Sequence, residues 1–342
     1  MPRKARRKSA GVTMADVAAA ANVSMQTVSR FLRFPDTVTP DTRAAIKAAI
    51  DKTHYVHNLA ASHLASARSH TVAAIIPTLS ASVFAETIQH LSETLHEQGY
   101  QIFLGNTDYQ PEREEDLIRS LLGRRPDGLF IIGTHHSRAS VDLLRRAEIP
   151  IVEGWDMTSR PIDNLVGFSN IAAIADMVRY LAGSGRRRIV FAGSMRNGDS
   201  RATERHDGFI ATMRELFPRE EPRLVLARDV PLDMQAGIHL LDRVLETYPD
   251  ADAVMFSSDI LASGALLESA RRGIDVPGRL AVTGFGDFEL ARHLNPALTT
   301  VAVPSAEIGR QAGRLLLASM QGRDIAEKCI DVGFELKIRQ ST

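Results

Sequence analysis

The stretch Thr13 to Leu32, TMADVAAAANVSMQTVSRFL, gathers side chains suited to reading duplex DNA. Gln26 has the paired donor and acceptor that match an adenine edge, and Arg30 the paired donors that match guanine in the major groove. Met25 stands beside them at the start of the same segment, and the hydroxyls of Ser24, Thr27 and Ser29 suit phosphate oxygens. Such chemistry needs polar residues early in the second of two packed helices, with a small residue where the first helix is crossed. Ala18 meets the second condition, and Val17, Val23 and Val28 supply the apolar contacts that hold the pair. An ordinary helical hairpin with a solvated polar face has the same spacing.

The elements that would position these groups follow from local signals. Thr13-Met14-Ala15-Asp16 matches a capping box, which opens a first helix running to about Ala21. Thr13 is itself counted among the DNA-contacting residues. Asn22 stands at the turn, where its tolerance of left-handed backbone angles is useful. Ser24 caps a second helix through Leu32, Asp36 to Thr39 is a turn, and Thr39-Pro40 starts a third helix. Ile46, Ile50 and Tyr55 would line its core face. Residues 58–69 are small and polar apart from Leu59 and Leu64, a segment too weak to be helical alone in water. It reads as a hinge that orders on docking. Residues 1–57 thus form a helix-turn-helix domain with a basic arm, 58–69 a hinge helix, and 70–342 a larger domain.

From Thr71 onward short apolar runs alternate with helical stretches. The runs are Val72–Ile76, Gln101–Leu104, Gly128–Ile132, Ile149–Val152, Ile189–Ala192, Leu224–Leu226, Ala253–Phe256, Leu280–Thr283 and Thr300–Val303. Continuous apolar strands between helices signal parallel α/β structure buried on both faces. Nine strands are generous for one sheet, so two α/β lobes with a cleft between them are expected, with ligand at the carboxyl ends of strands.

Charge separates the two parts. The whole chain is formally neutral, with 41 basic and 41 acidic residues. Residues 1–70 hold eleven Lys/Arg and four Asp, an excess of seven positive charges, so the remainder carries seven negative ones. A basic head on an acidic body fits phosphate contacts confined to the head, although a solubilising basic tail gives the same count. The lone Cys329 excludes an intrachain disulfide and a cysteine metal site. His135-His136 lacks a third ligand at metal spacing and reads as a solvated loop; no metal and no cofactor are expected. Neither a nucleophile elbow nor a phosphate-binding loop occurs, so the chain is not expected to be an enzyme. No apolar run reaches membrane-spanning length, and a cytoplasmic protein is expected.

The run DVAAAANVSMQTVSRFL, followed by VTPDTRAAIKAAIDKTHYVHNLAASHLAS, resembles the lactose-repressor (LacI/GalR) family, and the likeness extends along the whole chain. It implies an all-α helix-turn-helix head and an α/β two-lobed body like periplasmic binding proteins. It also implies a homodimer on palindromic double-stranded operator DNA, each protomer placing its second helix in a major groove. In the family, paired hinge helices insert a Leu into the minor groove, a role that falls on Leu64 here with Ala61 beside it and Asn58 at the hinge start. His57 departs from the usual Pro before Asn58, and Asn22 from the usual Gly.

PTLSASVF (Pro77–Phe84), RHDGF (Arg205–Phe209), SSD (Ser257–Asp259) and GFGDF (Gly284–Phe288) carry the resemblance through the body. It implies effector contacts from Ser80, Phe84, Trp155, Arg205, Ser258, and Gly286 or Asp287. Each has a plainer alternative: Phe84 and Trp155 as core, Arg205 paired at the surface. Gly286 and Trp155 replace acids frequent in neutral-sugar and purine members, which removes repulsion toward an anion. Together with the likeness of IPIVEGWD and GFGDF to the gluconate-repressor branch, this implies a sugar acid such as gluconate, a ketogluconate or a phosphogluconate. Glu153 or Asp156 re-entering the cleft would oppose it. The implied function is a ligand-gated transcriptional repressor. The rival from another class is a sugar-binding or sugar-modifying protein with an incidental helical head. Without a C-terminal leucine heptad, a dimer is favoured over a tetramer.

Overall fold

A hydroxyl side chain opens each of the first two helices in the computed structural model, which describes residues 12–56, 68–79, 82–196, 198–228 and 230–342. Asn58, Ala61 and Leu64 of the expected hinge, and Ser80, lie outside the described residues. The chain divides into two compact units between Ser69 and His70. Thr13 caps α1 (Met14–Ala20): its Oγ1 accepts the Asp16 N–H at 3.4 Å, and its own N–H donates to Asp16 Oδ2 at 2.8 Å. Ser24 caps α2 (Met25–Arg33), accepting the Thr27 N–H at 3.1 Å. Between them Asn22 takes φ +52°, the left-handed turn that its side chain tolerates. The turn expected at Asp36–Thr39 is a single 3-10 turn over Pro35–Thr37. α3 (Pro40–Thr53) has Pro in its first turn, but the Thr39 hydroxyl donates to Thr42 Oγ1 at 2.9 Å rather than accepting a backbone N–H. Val17, Ala18, Val28, Phe31, Val38, Ile46 and Ala49 form the core of this unit, with Ile50 and Tyr55 at its edge.

In the second unit, one lobe starts with β1 (Thr71–Ile76), α4 (Ser82–His96), β2 (Gln101–Asn106), α5 (Pro111–Leu122), β3 (Gly128–Ile132), α6 (Arg138–Arg146), β4 (Ile151–Gly154) and β5 (Asn164–Gly167). The chain then crosses to the other lobe for α7 (Asn170–Gly183), β6 (Ile189–Met195), α8 (Ser200–Leu216), β7 (Arg223–Arg228), α9 (Met234–Thr247), β8 (Ala253–Phe256), α10 (Asp259–Arg272), β9 (Ala281–Gly286) and β10 (Thr299–Ala302). It returns for α11 (Ser305–Met320), packed on α4, and β11 (Cys329–Asp331), and crosses a third time to β12 (Glu335–Lys337). The sheets have orders β11-β5-β4-β3-β1-β2 and β12-β10-β9-β8-β6-β7. Every pairing is parallel except β10 with β12. β1, β3, β4, β8 and β9 are buried along their length, which is why they are apolar runs in the sequence.

All nine expected strands are present. The run at Ile149–Val152 is realised two residues later, as β4. β5, β11 and β12 had no apolar run to announce them: each has three or four residues, and β11 and β12 are edge strands with exposed positions.

Helices α9 and α10 meet backbone to backbone. A Cβ on Gly237 would overlap the Leu261 carbonyl oxygen, and one on Gly264 the Met234 carbonyl oxygen. These neighbours are main chain and cannot rotate away, so the helices must separate to admit a methyl group. Gly237→Ala is therefore expected to destabilise the protein by about 1–3 kcal/mol, the usual cost of overpacking. Urea unfolding of both forms checks this, and an unchanged midpoint would refute the close approach.

Candidate functional site

Two sets of side chains are candidates, one in each unit. On α2, Met25, Gln26 and Arg30 are exposed, while Val28 is fully buried and fixes the helix to its core. Gln26 and Arg30 are four residues apart and therefore share a face. Ser24 and Thr27 are partly engaged with each other, their hydroxyls 2.9 Å apart, and Thr27 and Ser29 are half-buried. The Thr13 hydroxyl donates to Asp16 Oδ2 at 2.7 Å. The backbone N–H of Thr13, then its hydroxyl, hold the Asp16 carboxyl below the usual carboxylate range.

In the second unit, the carboxyl ends of strands from both sheets form a cleft of about 640 Å³, counting its space open to solvent. Phe84, Trp155, Arg205, Ser258 and Gly286, far apart in sequence, line it together. Of the alternatives Gly286 and Asp287, it is Gly286 that faces the cleft. Asp287 is instead bound to Arg339, its Oδ1 2.6 Å from Nη2, which corrects its expected role. Gly286 has φ +128°, and a Cβ there would overlap the ring of Phe288, so the strand end needs glycine.

Arg205 projects from α8, its guanidinium 4.7 Å from the centre of the Phe285 ring. Its Nη1 donates to Asn170 Oδ1 at 3.0 Å, while its buried Nε has no hydrogen-bond partner among the described residues. Burial pushes its pKa below the ordinary arginine value. Trp155, at φ +73°, is buried and donates from Nε1 to Thr87 Oγ1 at 3.1 Å. Its ring meets Phe84 edge-on at 4.8 Å. Both aromatics are thus packed as core and line the cleft at once.

The lining also includes polar residues that were not anticipated, among them Tyr109, Arg196, Asp199 and Arg201. Arg201 lies one helical turn before Arg205, a spacing that could have revealed it. It stacks on Phe84 at 5.7 Å and faces Asp199 at 3.8 Å. Arg196 lies 5.5 Å from the Tyr109 ring and donates from Nε to the Val230 carbonyl at 3.2 Å. Burial pushes the Tyr109 hydroxyl up to about 12, so it is a neutral donor. Asp199 is the one carboxylate among the described lining residues, and it also caps α8 by accepting the Ala202 N–H at 3.1 Å. Three guanidinium groups against one carboxylate leave the cleft positively charged.

Glu153 and Asp156 stay out of that lining. Glu153 accepts the Ile162 N–H at 2.5 Å, and Asp156 accepts from Met157 N–H at 2.9 Å and from the Thr134 hydroxyl at 3.2 Å. The expected solvated loop at His135-His136 holds only for His135. The His136 ring is buried between Glu114 at 2.9 Å and Glu153 at 3.5 Å. Burial alone would lower its pKa, but hydrogen bonds to the two carboxylates prevail and raise it to about 9. Its partners lie 22 residues before and 17 after it, which is why local sequence gave no sign of the pairing.

Comparison with known proteins places both sets in context. Residues 13–58 match the model described as "Bacterial regulatory proteins, lacI family", and residues 178–342 the model "Periplasmic binding protein-like domain". The chain is 36% identical to the HTH-type transcriptional regulator GntR of Pseudomonas aeruginosa, across 96% of this chain and 95% of the relative. It is 31% identical to the HTH-type transcriptional regulator IdnR of Escherichia coli, across 95% and 97%. A lacI-family transcriptional regulator from Silicibacter pomeroyi superposes with a TM-score of 0.90 at 34% identity, covering 96% of this chain and 99% of that one.

Asp259 anchors the loop behind the cleft. Fully buried, it accepts from the Phe288 N–H at 2.8 Å and the Thr300 hydroxyl at 2.5 Å. Burial pushes its carboxyl up to about 7, against the opposing effect of those two donors. An unfolded aspartate ionises near pH 4. Between about pH 4 and 7 the folded chain therefore holds a proton here that the unfolded chain has lost. The contribution is full below that window and falls as pH rises through it. Replacing Asp259 with Asn should flatten this part of the stability–pH curve, measured as urea midpoints at successive pH values. An unaltered slope would mean that the group ionises normally.

Proposed function

The chain belongs to the lacI family of bacterial regulatory proteins, and from that premise we propose a homodimeric cytoplasmic repressor that holds a palindromic operator under the control of a sugar acid. Family membership makes it a DNA-binding transcriptional repressor governed by a small-molecule effector. The observation that carries the sugar-acid reading is Arg205 in its apolar wall, with a buried Nε lacking a partner among the described residues. A desolvated cation is costly unless it is paired. A carboxylate offers the planar two-oxygen acceptor that a guanidinium fork matches. Arg196 and Arg201 add positive charge, and Ser194, Ser257 and Ser258 offer hydroxyls for the polyol part of the ligand. Gluconate and related acids are the candidates.

In this reading the protein acts by binding and not by catalysis. Closure of the two lobes on the ligand alters how the paired heads meet DNA, so effector and operator affinities are linked. On the operator, Gln26 and Arg30 read base edges, with Met25 beside them. Ser24, Thr27, Ser29 and Thr13 sit where phosphates pass, and Asn58, Ala61 and Leu64 act at the operator centre. Among the described residues no helix is long and apolar enough to cross a membrane.

Two measurements test the proposal. In calorimetry with a panel of sugar acids, neutral sugars and purines, the wild type should prefer an acid. Arg205→Ala should weaken that binding by at least about thirtyfold, the loss expected for a buried charge-assisted contact worth 2 kcal/mol or more. Tight binding of neutral ligands alone, or normal binding by the variant, would overturn the reading. For DNA, operator affinity should fall steeply with salt. Arg30→Ala should cost about 1–3 kcal/mol and relax preference at a single base pair. No preference for any palindrome over random duplex, with or without effector, would refute it.

A further inference from the structure

His135, Asp156 and Glu204 are remote in sequence and lie on three different elements. His135 follows β3, Asp156 follows β4, and Glu204 lies in α8 of the opposite lobe. Their donor atoms all fall within 4.8 Å of one another, with His135 Nδ1 3.7 Å from Asp156 Oδ2. We propose that these three side chains form a divalent-cation site that clasps the two lobes together.

The first argument is electrostatic. Two carboxylates facing each other across a lobe boundary repel, and the repulsion is severe where one of them, Asp156, is 1% exposed. The nearby Arg201 and Arg205 offset only part of this repulsion, since Arg201 also stacks on Phe84 and faces Asp199 and Arg205 is held by Asn170. A cation between the carboxylates removes the repulsion and turns it into a bond between the lobes.

The second argument is preorganisation. Asp156 is oriented by the Met157 N–H at 2.9 Å and the Thr134 hydroxyl at 3.2 Å, as the outer partners of a ligating carboxylate orient it. Its backbone is fixed by Gly167, where any Cβ would overlap the Asp156 carbonyl oxygen.

The third concerns access. His135 is largely exposed, and it lines a separate cavity of about 460 Å³ walled by residues of both lobes, among them Glu114 and Arg201. That cavity gives an ion a route in and leaves room for water on the remaining positions. One imidazole nitrogen with two carboxylates suits zinc or a similar first-row ion. Magnesium and calcium favour oxygen-only shells.

The test is zinc titration of untagged full-length protein by calorimetry, with thermal unfolding alongside. One ion per chain should bind and raise the melting temperature. Glu204→Gln, which keeps the shape of the side chain, and His135→Ala, which changes an exposed one, should each weaken that binding at least about tenfold. Sugar-acid binding measured without zinc reports separately on the proposed function, so either idea can fail alone. Absence of saturable zinc binding by the wild type overturns the proposal. So does zinc binding that both variants retain, which would place the ion elsewhere. If the wild type ignores zinc while Glu204→Gln melts at a higher temperature, the carboxyl groups share a proton and the clasp is not a metal site.

Discussion

Keeping one positive charge in an apolar wall is the constraint around which the effector domain is arranged. Arg205 reaches the cleft from α8 and is braced by Asn170 at the start of α7, whose Nδ2 also donates to the Trp155 carbonyl at 3.4 Å. Trp155 is in turn fixed by Thr87, and the Thr87 hydroxyl donates to the Ser305 carbonyl at 3.0 Å. This chain of contacts runs from α8 through α7 and the end of β4 to α4 and α11, and so joins both lobes. The glycines at its close approaches follow from it: Gly208 lets α8 come against Ile171, and Gly309 lets α11 come against the Thr87 carbonyl. A bulkier residue at either point would move the arginine or its support, because main chain has no rotamer into which to escape.

What the sequence revealed depended on whether the deciding contact was local. The caps at Thr13 and Ser24 and the turn at Asn22 are set by neighbours within three residues, and they were legible. The buried strands announced themselves because both faces must be apolar. β11 and β12 could not, since an edge strand of three residues is held by backbone hydrogen bonds to whatever lies beside it. The cleft followed the same rule. Phe84, Trp155, Arg205, Ser258 and Gly286 were named from motifs and do converge. Tyr109 and Arg196 belong to no motif and are recruited by strand ends that only the folded sheets bring together. Asp287 went astray because its partner, Arg339, lies 52 residues further on. His136 reads as loop for the same reason, its glutamates being supplied by α5 and β4.

The two candidate sites use opposite physics. On α2 the candidate base-reading groups are exposed, and rigidity comes from below, through Val28 and the caps. DNA can be read that way because the bases arrive already hydrogen-bonded and ordered. The cleft must instead remove a hydrated small molecule from water, so its polar groups lie among Phe84, Phe285 and Phe288, with Arg205 braced by Asn170, Arg196 by the Val230 carbonyl and Asp199 by the Ala202 N–H. Rigid aromatic walls raise the strength of every charged contact inside them by excluding solvent.

Charge sorting makes the two compatible in one chain. Residues 71–342 carry an excess of seven negative charges, yet their cleft holds three guanidinium groups and one carboxylate. An acidic exterior keeps this domain off the phosphate backbone, so that only the basic head competes for DNA. The cleft arginines escape that competition because a duplex cannot enter between the lobes, whereas a small molecule can. Neutrality of the whole chain therefore conceals two separately charged instruments. It is the enclosure of one and the exposure of the other, more than net charge, that leaves duplex DNA to the head and a small molecule to the body.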